Sequence, residues 1–301
     1  MFSENCHTLT QRPQQGYCMT FVFPIRTLAS GLLAISCQLP ALAAPGCSRE
    51  IVVPAAEAAP SISVTRGVVG GLMPDMLATV GARAGCSFRW SIVPRIRLEK
   101  MFEGGTADLL VLATRLTRRD HYGVFVPIVE ARPMVISLQG EHAPIHSMLE
   151  LAARRDLRIA LVRGYDYGEA YQDMIKAATA QGRLYMEPDV NSVARLIAGK
   201  MADVTIMPAV TFIGGLQGDR RVEGIATMLR IEALDDLEWI ETGIYLSRKS
   251  LGEADRALLE QALIASVKSG AWWAALKKYY PPGALHNNAR PLPRDAKTIA
   301  P

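Results

Sequence analysis

The sequence is poor in the features that announce an enzyme, and each absence removes a class of function. No G-x-S-x-G, H-E-x-x-H or P-loop lysine motif occurs, so serine-hydrolase, zinc-protease and nucleotide-cleaving chemistry have no carrier. Gly67-Val68-Val69-Gly70-Gly71 lacks the spacing of a dinucleotide loop, and no cofactor is expected. His142 and His146 stand at helical ligand spacing, but Pro144 between them makes the stretch a loop and removes support for a metal site. The net charge is +4, with lysines and arginines scattered; without a basic stripe interleaved with aromatics, nucleic acid is a poor partner. Aromatics make up 7% of the 301 residues, and cysteines number five.

Long apolar runs are also missing. The stretch from Leu28 to Leu39 is too short for a comfortable membrane span. It follows Arg26 and ends in Ala41-Leu42-Ala43-Ala44, an A-x-A type cut site. A basic residue, a short apolar core and small residues before the cut describe a secretory signal peptide over 1–43, with Met19 as an alternative start. Cleavage removes Cys6, Cys18 and Cys37, leaving Cys47 and Cys86 in an oxidising compartment, the periplasm. Each lies just before an apolar run, Ile51–Val53 and Phe88–Ile92. If those runs are neighbouring parallel strands, a Cys47–Cys86 disulfide is plausible; the alternative is two buried thiols.

What is present is a repeated turn. Gly104-Gly105-Thr106-Ala107-Asp108 and Gly199-Lys200-Met201-Ala202-Asp203 lie 95 positions apart. Each follows a segment of helical periodicity and precedes a short apolar run. The pattern reads as helix, glycine C-cap, tight turn and buried strand, the glycine taking the left-handed position. Two copies suggest two similar α/β lobes, and two lobes make a cleft. Along the first lobe a strand at Ile51–Val53, a loop to Gly71, a helix to Gly85, a strand at Phe88–Val93 and a helix over Ile96–Phe102 imply a parallel β-α-β-α-β sheet. Pro133–Leu138 reads as a crossover into the second lobe. There helices at Leu149–Arg155, Gly168–Thr179 and Ser192–Ile197 alternate with strands at Arg158–Val162 and Arg183–Glu187. Gly243–Ser247 is a late strand, Leu251–Ser269 and Ala271–Tyr280 are helices, and the tail from Pro281 is expected to fray.

Ligands in open α/β sheets bind beyond the carboxyl ends of strands. Thr114, Arg115, Thr117 and Arg119 follow such an end, offering hydroxyls and guanidinium forks to an anion. Arg95, ahead of the Ile96–Phe102 helix, is a further candidate. In the second lobe Arg163-Gly164-Tyr165-Asp166-Tyr167-Gly168 opens a helix, where free N–H groups favour an anion. Tyr165 could stack on a ligand or cap the loop, and Asp166 could N-cap the helix or pair a cation.

With Gly71-Leu72-Met73-Pro74-Asp75-Met76-Leu77, the Gly104–Asp108 turn, Thr117-Arg118-Arg119 followed by Phe125-Val126-Pro127, Arg163-Gly164, Gly199–Asp203 and the ending Ser269-Gly270-Ala271-Trp272, the stretch from Arg49 to Tyr280 resembles the family 3 periplasmic solute-binding proteins, amino-acid receptors of ABC importers. The resemblance implies an α/β, two-lobed periplasmic-binding-protein fold (type II), each lobe a parallel-rich sheet flanked by helices and joined by two crossover hinge strands. It places 44–132 and 240–285 in lobe 1, 133–239 in lobe 2 and 286–301 in a flexible tail. It implies a monomer that carries a small polar or anionic solute, an amino acid or carboxylate, to an ABC transporter permease. In that family the arginine of T-x-x-R binds the ligand carboxylate. Thr117 to Arg119 is one residue short of that spacing, but Arg119 lies six positions before Phe125, as the family's arginine does before its phenylalanine. The role therefore maps to Arg119, whose replacement by alanine is expected to abolish binding at a stability cost within about 1 kcal/mol. Arg115 falls where a small hydroxyl residue is common. Pro208 stands where amino-acid binders place an aspartate for the ligand's amino group, and 54–71 holds no aromatic residue. Two other functions share the resemblance: a dehydratase such as cyclohexadienyl dehydratase, with Glu169 or Asp166 as acid, and a sensor or accessory module for a periplasmic partner.

Overall fold

The computed structural model of the protein describes residues 46–293, apart from 218, 223, 281 and 286. The stretch 1–43, expected from sequence to be a signal peptide, and the end of the tail, 294–301, lie outside the described residues. In chain order the elements are β1 (Ile51–Ala55), β2 (Ser63–Thr65), β3 (Val68–Gly70), α1 (Leu72–Ala84), β4 (Phe88–Ile92), α2 (Arg95–Gly104), β5 (Leu109–Thr114), α3 (Thr117–Asp120) and β6 (Gly123–Ala131). There follow β7 (Pro133–Leu138), α4 (Met148–Ala153), β8 (Ile159–Val162), α5 (Glu169–Ala180), β9 (Leu184–Glu187), α6 (Val190–Ala198), β10 (Val204–Pro208), α7 (Ala209–Leu216) and β11 (Leu229–Ala233). The chain returns through β12 (Ile240–Ser247), α8 (Glu253–Lys268), α9 (Ala271–Tyr279), α10 (Pro282–Leu285) and β13 (Ala289–Arg290). No helix among the described residues is long and apolar enough to cross a membrane.

One lobe is built on a five-stranded sheet of order β11-β7-β10-β8-β9. Strands β8, β9 and β10 run parallel, and β7 runs antiparallel to both its neighbours, β10 and β11. Both faces are covered, which explains the unbroken apolar runs. Val135, Ile159, Leu161, Val204 and Ile206 pack to one side, while Ile136, Ala160, Val162 and Met207 pack to the other. In the other lobe the expected continuous parallel sheet is replaced by two pieces. Strands β1 and β4 form a parallel pair, whereas β5 joins the antiparallel order β13-β6-β12-β5. β5 meets β1 through the Asp108 N–H donating to the Val52 carbonyl at 3.0 Å.

The repeated turn has a different geometry from the one its glycines suggest. Gly104 and Gly199 are not the left-handed residues; the next residue is, Gly105 at φ 77° and Lys200 at φ 52°. The two aspartates turn out to be matching clamps. Asp108 accepts from Arg49 Nη1 and Nη2 at 2.6 and 2.8 Å and from the Val52 N–H at 2.8 Å. Asp203 accepts from Arg158 Nε and Nη2 at 3.0 and 2.9 Å and from the Arg158 N–H at 2.7 Å. Each carboxylate thus fastens the strand after its turn to an earlier strand, β1 in one lobe and β8 in the other. Burial works against ionisation of both, but the arginine hydrogen bonds outweigh it and hold both carboxyls below their usual range.

Three segments differ from their sequence reading. The loop before Gly71 contains the β2–β3 hairpin, turned by Arg66 and Gly67, both at positive φ. Helix α7 hides behind Gly214 and Gly215, which blur its apolar period. The tail expected to fray is anchored in part, since β13 pairs antiparallel with β6 and Arg290 lies over the Trp239 ring at 4.3 Å. The chain passes between the lobes' sheets at Arg132, whose guanidinium donates to the carbonyls of Leu234 and Leu237 on the return segment. Cys47 and Cys86 are disulfide-bonded, with Cα atoms 4.9 Å apart. Closing that 39-residue separation constrains the unfolded chain by about 4 kcal/mol.

A carboxyl depressed by folding stabilises above its unfolded pKa of about 4, and that contribution is lost as pH falls through the folded value. Asp108→Asn is expected to lose about 1.5–3 kcal/mol at neutral pH, the worth of hydrogen bonds to a charged group. It should also flatten the decline of Tm below pH 4. Thermal unfolding by circular dichroism from pH 7 to pH 2.5 checks both, and an unchanged Tm with an unchanged acid slope would contradict the clamp.

Candidate functional site

A cavity of about 130 Å³ opens between the lobes, at the carboxyl ends of β5, β8 and β10. Leu112 and Thr114 of β5 form one wall with Thr242 and Gly243 of β12; Arg95 enters from the first turn of α2. The other lobe supplies Tyr165, Asp166 and Tyr167 from the loop after β8, and Pro208 at the end of β10. Leu112 adopts φ 51°, rare for a bulky residue, beside a register shift in the β5–β12 ladder. This local departure from regular strand is where the wall meets the cavity.

Three of the four arginines here already hold acidic partners. Arg119, assigned above to the ligand, is 2% exposed and already engaged. Its Nε and Nη2 donate to Glu99 at 2.9 and 2.8 Å, and Nη1 donates to the Thr114 carbonyl at 2.8 Å. The bidentate face that the sequence reading reserved for a ligand carboxylate is thus filled by Glu99. Burial pushes the Glu99 carboxyl up, but the bonds and charges of Arg119 and Arg118 more than reverse that and leave it lowered. Arg118 bridges the lobes, donating from Nη1 to Glu99 at 2.6 Å and from Nη2 to Asp166 at 3.0 Å. Arg115 turns away from the cavity to Glu241 at 3.2 Å and Asp120 at 3.8 Å.

Arg95 is different. It makes no ion pair among the described residues. Its nearest polar contact is Nη2 to the Leu112 carbonyl at 3.5 Å, the long limit of a hydrogen bond, and it lies over the Tyr165 ring at 5.2 Å. Burial pushes its pKa down, with the Arg119 charge adding to the effect, yet an arginine stays charged at any working pH. A desolvated cation without a carboxylate partner is an anion site in waiting. Thr114 and Thr242 are register partners across β5 and β12, and both residues line the cavity. Burial raises the Tyr165 hydroxyl pKa, partly offset by Arg95, so the phenol remains a neutral donor.

The remaining candidates are placed as follows. Asp166 is not the N-cap of α5, a position held by Gly168; its Oδ1 accepts from the Gly168 N–H at 3.0 Å while Oδ2 pairs with Arg118. Gly164 is not among the residues lining the cavity; its φ of 89° is a left-handed turn conformation that favours glycine. Thr117 is exposed at the start of α3, away from the cavity. Pro208 lines the wall without charge. His142 Nδ1 accepts a hydrogen bond from Arg230 Nη2 at 2.6 Å, and no cluster of three or more metal-ligating side chains occurs among the described residues. Sequence reasoning missed Thr242 as a wall residue, because nothing in Thr242-Gly243-Ile244 marks it.

No protein-family model matches the chain, and no curated protein matches it in sequence. Solved structures do resemble it in shape. A histidine kinase sensor domain with similarity to periplasmic binding proteins aligns over 77% of this chain and 96% of its own, with TM-score 0.62 and 17% identity. The fold is that of the two-lobed periplasmic binding proteins. ArtJ, an arginine-, lysine-, histidine-binding protein from Geobacillus stearothermophilus, shares this binding-protein fold over 77% and 95% of the chains, with TM-score 0.59 and 18% identity. EhuB, solved with hydroxyectoine, covers 82% of this chain and 95% of its own, with TM-score 0.62 and 18% identity.

Within this binding-protein fold, removing one partner of a buried pair costs more than a surface change. Arg119→Ala is expected to lower stability by about 3 kcal/mol, not the cost within about 1 kcal/mol inferred from sequence. For a chain this size that is a Tm drop of roughly 6–12 °C. A Tm within 2 °C of the parent in thermal unfolding would instead return Arg119 to a free, ligand-facing role.

Proposed function

We propose that this protein is a solute-binding protein that captures a small carboxylate between its lobes, with Arg95 as the principal anion ligand and Thr114, Thr242 and Tyr165 as hydrogen-bond donors around it. The observation that carries the reading is the half-buried Arg95 guanidinium lining the cavity without an acidic partner. After loss of 1–43 the protein would work in the periplasm and hand its solute to an ABC importer permease. A sensor role is the second reading, favoured by the sensor domain among its structural neighbours; a signalling protein rather than a permease would then bind the loaded form. Arg118 and Asp166 give closure a purpose in either case, because their bond spans the lobes beside the cavity.

A ligand at a hundredfold excess over its Kd adds about 2.7 kcal/mol to stability. A screen of carboxylic and amino acids by thermal unfolding is therefore expected to find acids that raise Tm by about 5–10 °C. Arg95→Ala should leave the unliganded Tm within about 2 °C and erase that rise. The reading is overturned if no acid shifts Tm, or if the Arg95→Ala protein responds like the parent.

A further inference from the structure

We infer that the ligand is an acid with an uncharged aromatic body and no ammonium group, its ring lodged in an apolar extension of the cleft beneath α9. This rests on the anion reading of Arg95 above.

The cavity does not end at Arg95. It continues between Leu72 and Met73 of α1, Ile128 of β6, and Trp272 and Leu276 of α9. These walls are apolar and buried. The whole cavity, at about 130 Å³, is close in size to the roughly 150 Å³ cavity that takes up a benzene ring. At this end Trp272 is 1% exposed, and its Nε1 has no hydrogen-bond partner among the described residues. A buried donor left unmatched is costly and uncommon. Ser61 and Tyr280 line the same end but satisfy each other, with Oγ and OH 2.6 Å apart. The Trp272 N–H is thus left for an acceptor carried by the ligand, on the side opposite its carboxylate.

The charges argue against a zwitterion. Among the described lining residues Asp166 is the only carboxylate, and both its oxygens are taken, by the Gly168 N–H and by Arg118. The other charged groups on the wall are Arg95 and Arg119. An α-ammonium would enter with no counter-ion, facing like charge in a desolvated space, which disfavours an amino acid. A hydroxyaryl acid meets all three conditions: an anion for Arg95, a ring for the chamber and an oxygen for Trp272.

Isothermal titration of the purified chain with 4-hydroxyphenylacetate, phenylacetate, L-phenylalanine and acetate tests this. The two aryl acids are expected to bind at least about tenfold tighter than L-phenylalanine or acetate, the scale of one uncompensated charge or one buried ring. Trp272→Phe keeps the ring and removes the N–H. It should weaken 4-hydroxyphenylacetate about threefold to tenfold, as for one neutral hydrogen bond, and leave phenylacetate unchanged. L-phenylalanine binding as tightly as phenylacetate, or no aryl acid binding, overturns the inference on the parent protein alone, whatever the variant does. If acetate or an amino acid binds in an Arg95-dependent way and aryl acids do not, this inference falls while the anion reading stands. If no acid binds, both fall.

Discussion

The Glu99 carboxylate organises the cleft. It takes the bidentate face of Arg119 and one arm of Arg118, and Arg118 reaches across to Asp166 on the opposite lobe. Three charges that could each have met a ligand are thereby committed to the protein. The charge left over is Arg95, one turn earlier on the same helix α2, where Glu99 lies four residues on. The site's selectivity is thus set by an internal pairing. Had Glu99 been neutral, Arg119 would hold its fork free, and the cavity would carry two unmatched cations suited to a dianion.

The same economy of charge runs through the frame that holds the site. Asp108 and Asp203 occupy equivalent places after equivalent turns, and each ties an arginine and a backbone N–H at the start of an earlier strand, β1 or β8. The lobes repeat one solution to one problem: how to fasten a strand that follows a helix to a strand laid down before that helix. They diverge beyond the strand. One continues into Thr114 and the Arg118–Arg119 turn, the other into Pro208 and the apolar helix α7. Polar chemistry is thereby concentrated on one lobe, while the other brings aromatic rings and a wall.

Much of the fold could be read from residue order because its signals are local. Apolar runs bounded by turn residues marked β5, β8 and β10, and helical periods marked α1, α8 and α9. The repeated turn was visible as a pattern, although its left-handed residue is the one after the glycine, a detail that backbone angles alone decide. The site was legible by region and not by residue. Spacing from Phe125 pointed to Arg119, but no local rule says that Glu99, 20 residues upstream, will fold onto it. Burial of Arg119 against Glu99, and the lack of an acidic partner for Arg95, are products of packing between α2 and α3. Thr242 and Trp272 arrive from the far end of the chain, so their place on the cavity wall follows from the return of β12 and α9 to the first lobe. The β2–β3 hairpin escaped notice because Arg66-Gly67 is a less familiar form of the two-residue turn than Asn-Gly.

The central claim is that Arg95, not Arg119, holds the ligand's anionic group. Denaturing mass spectrometry of protein purified without added ligand tests it most directly, comparing the parent chain with Arg95→Ala and Arg119→Lys. The account predicts a carboxylic acid released from the parent and from Arg119→Lys, and absent from Arg95→Ala. Retention of the same compound by Arg95→Ala, with its loss from a folded Arg119→Lys protein, would contradict it.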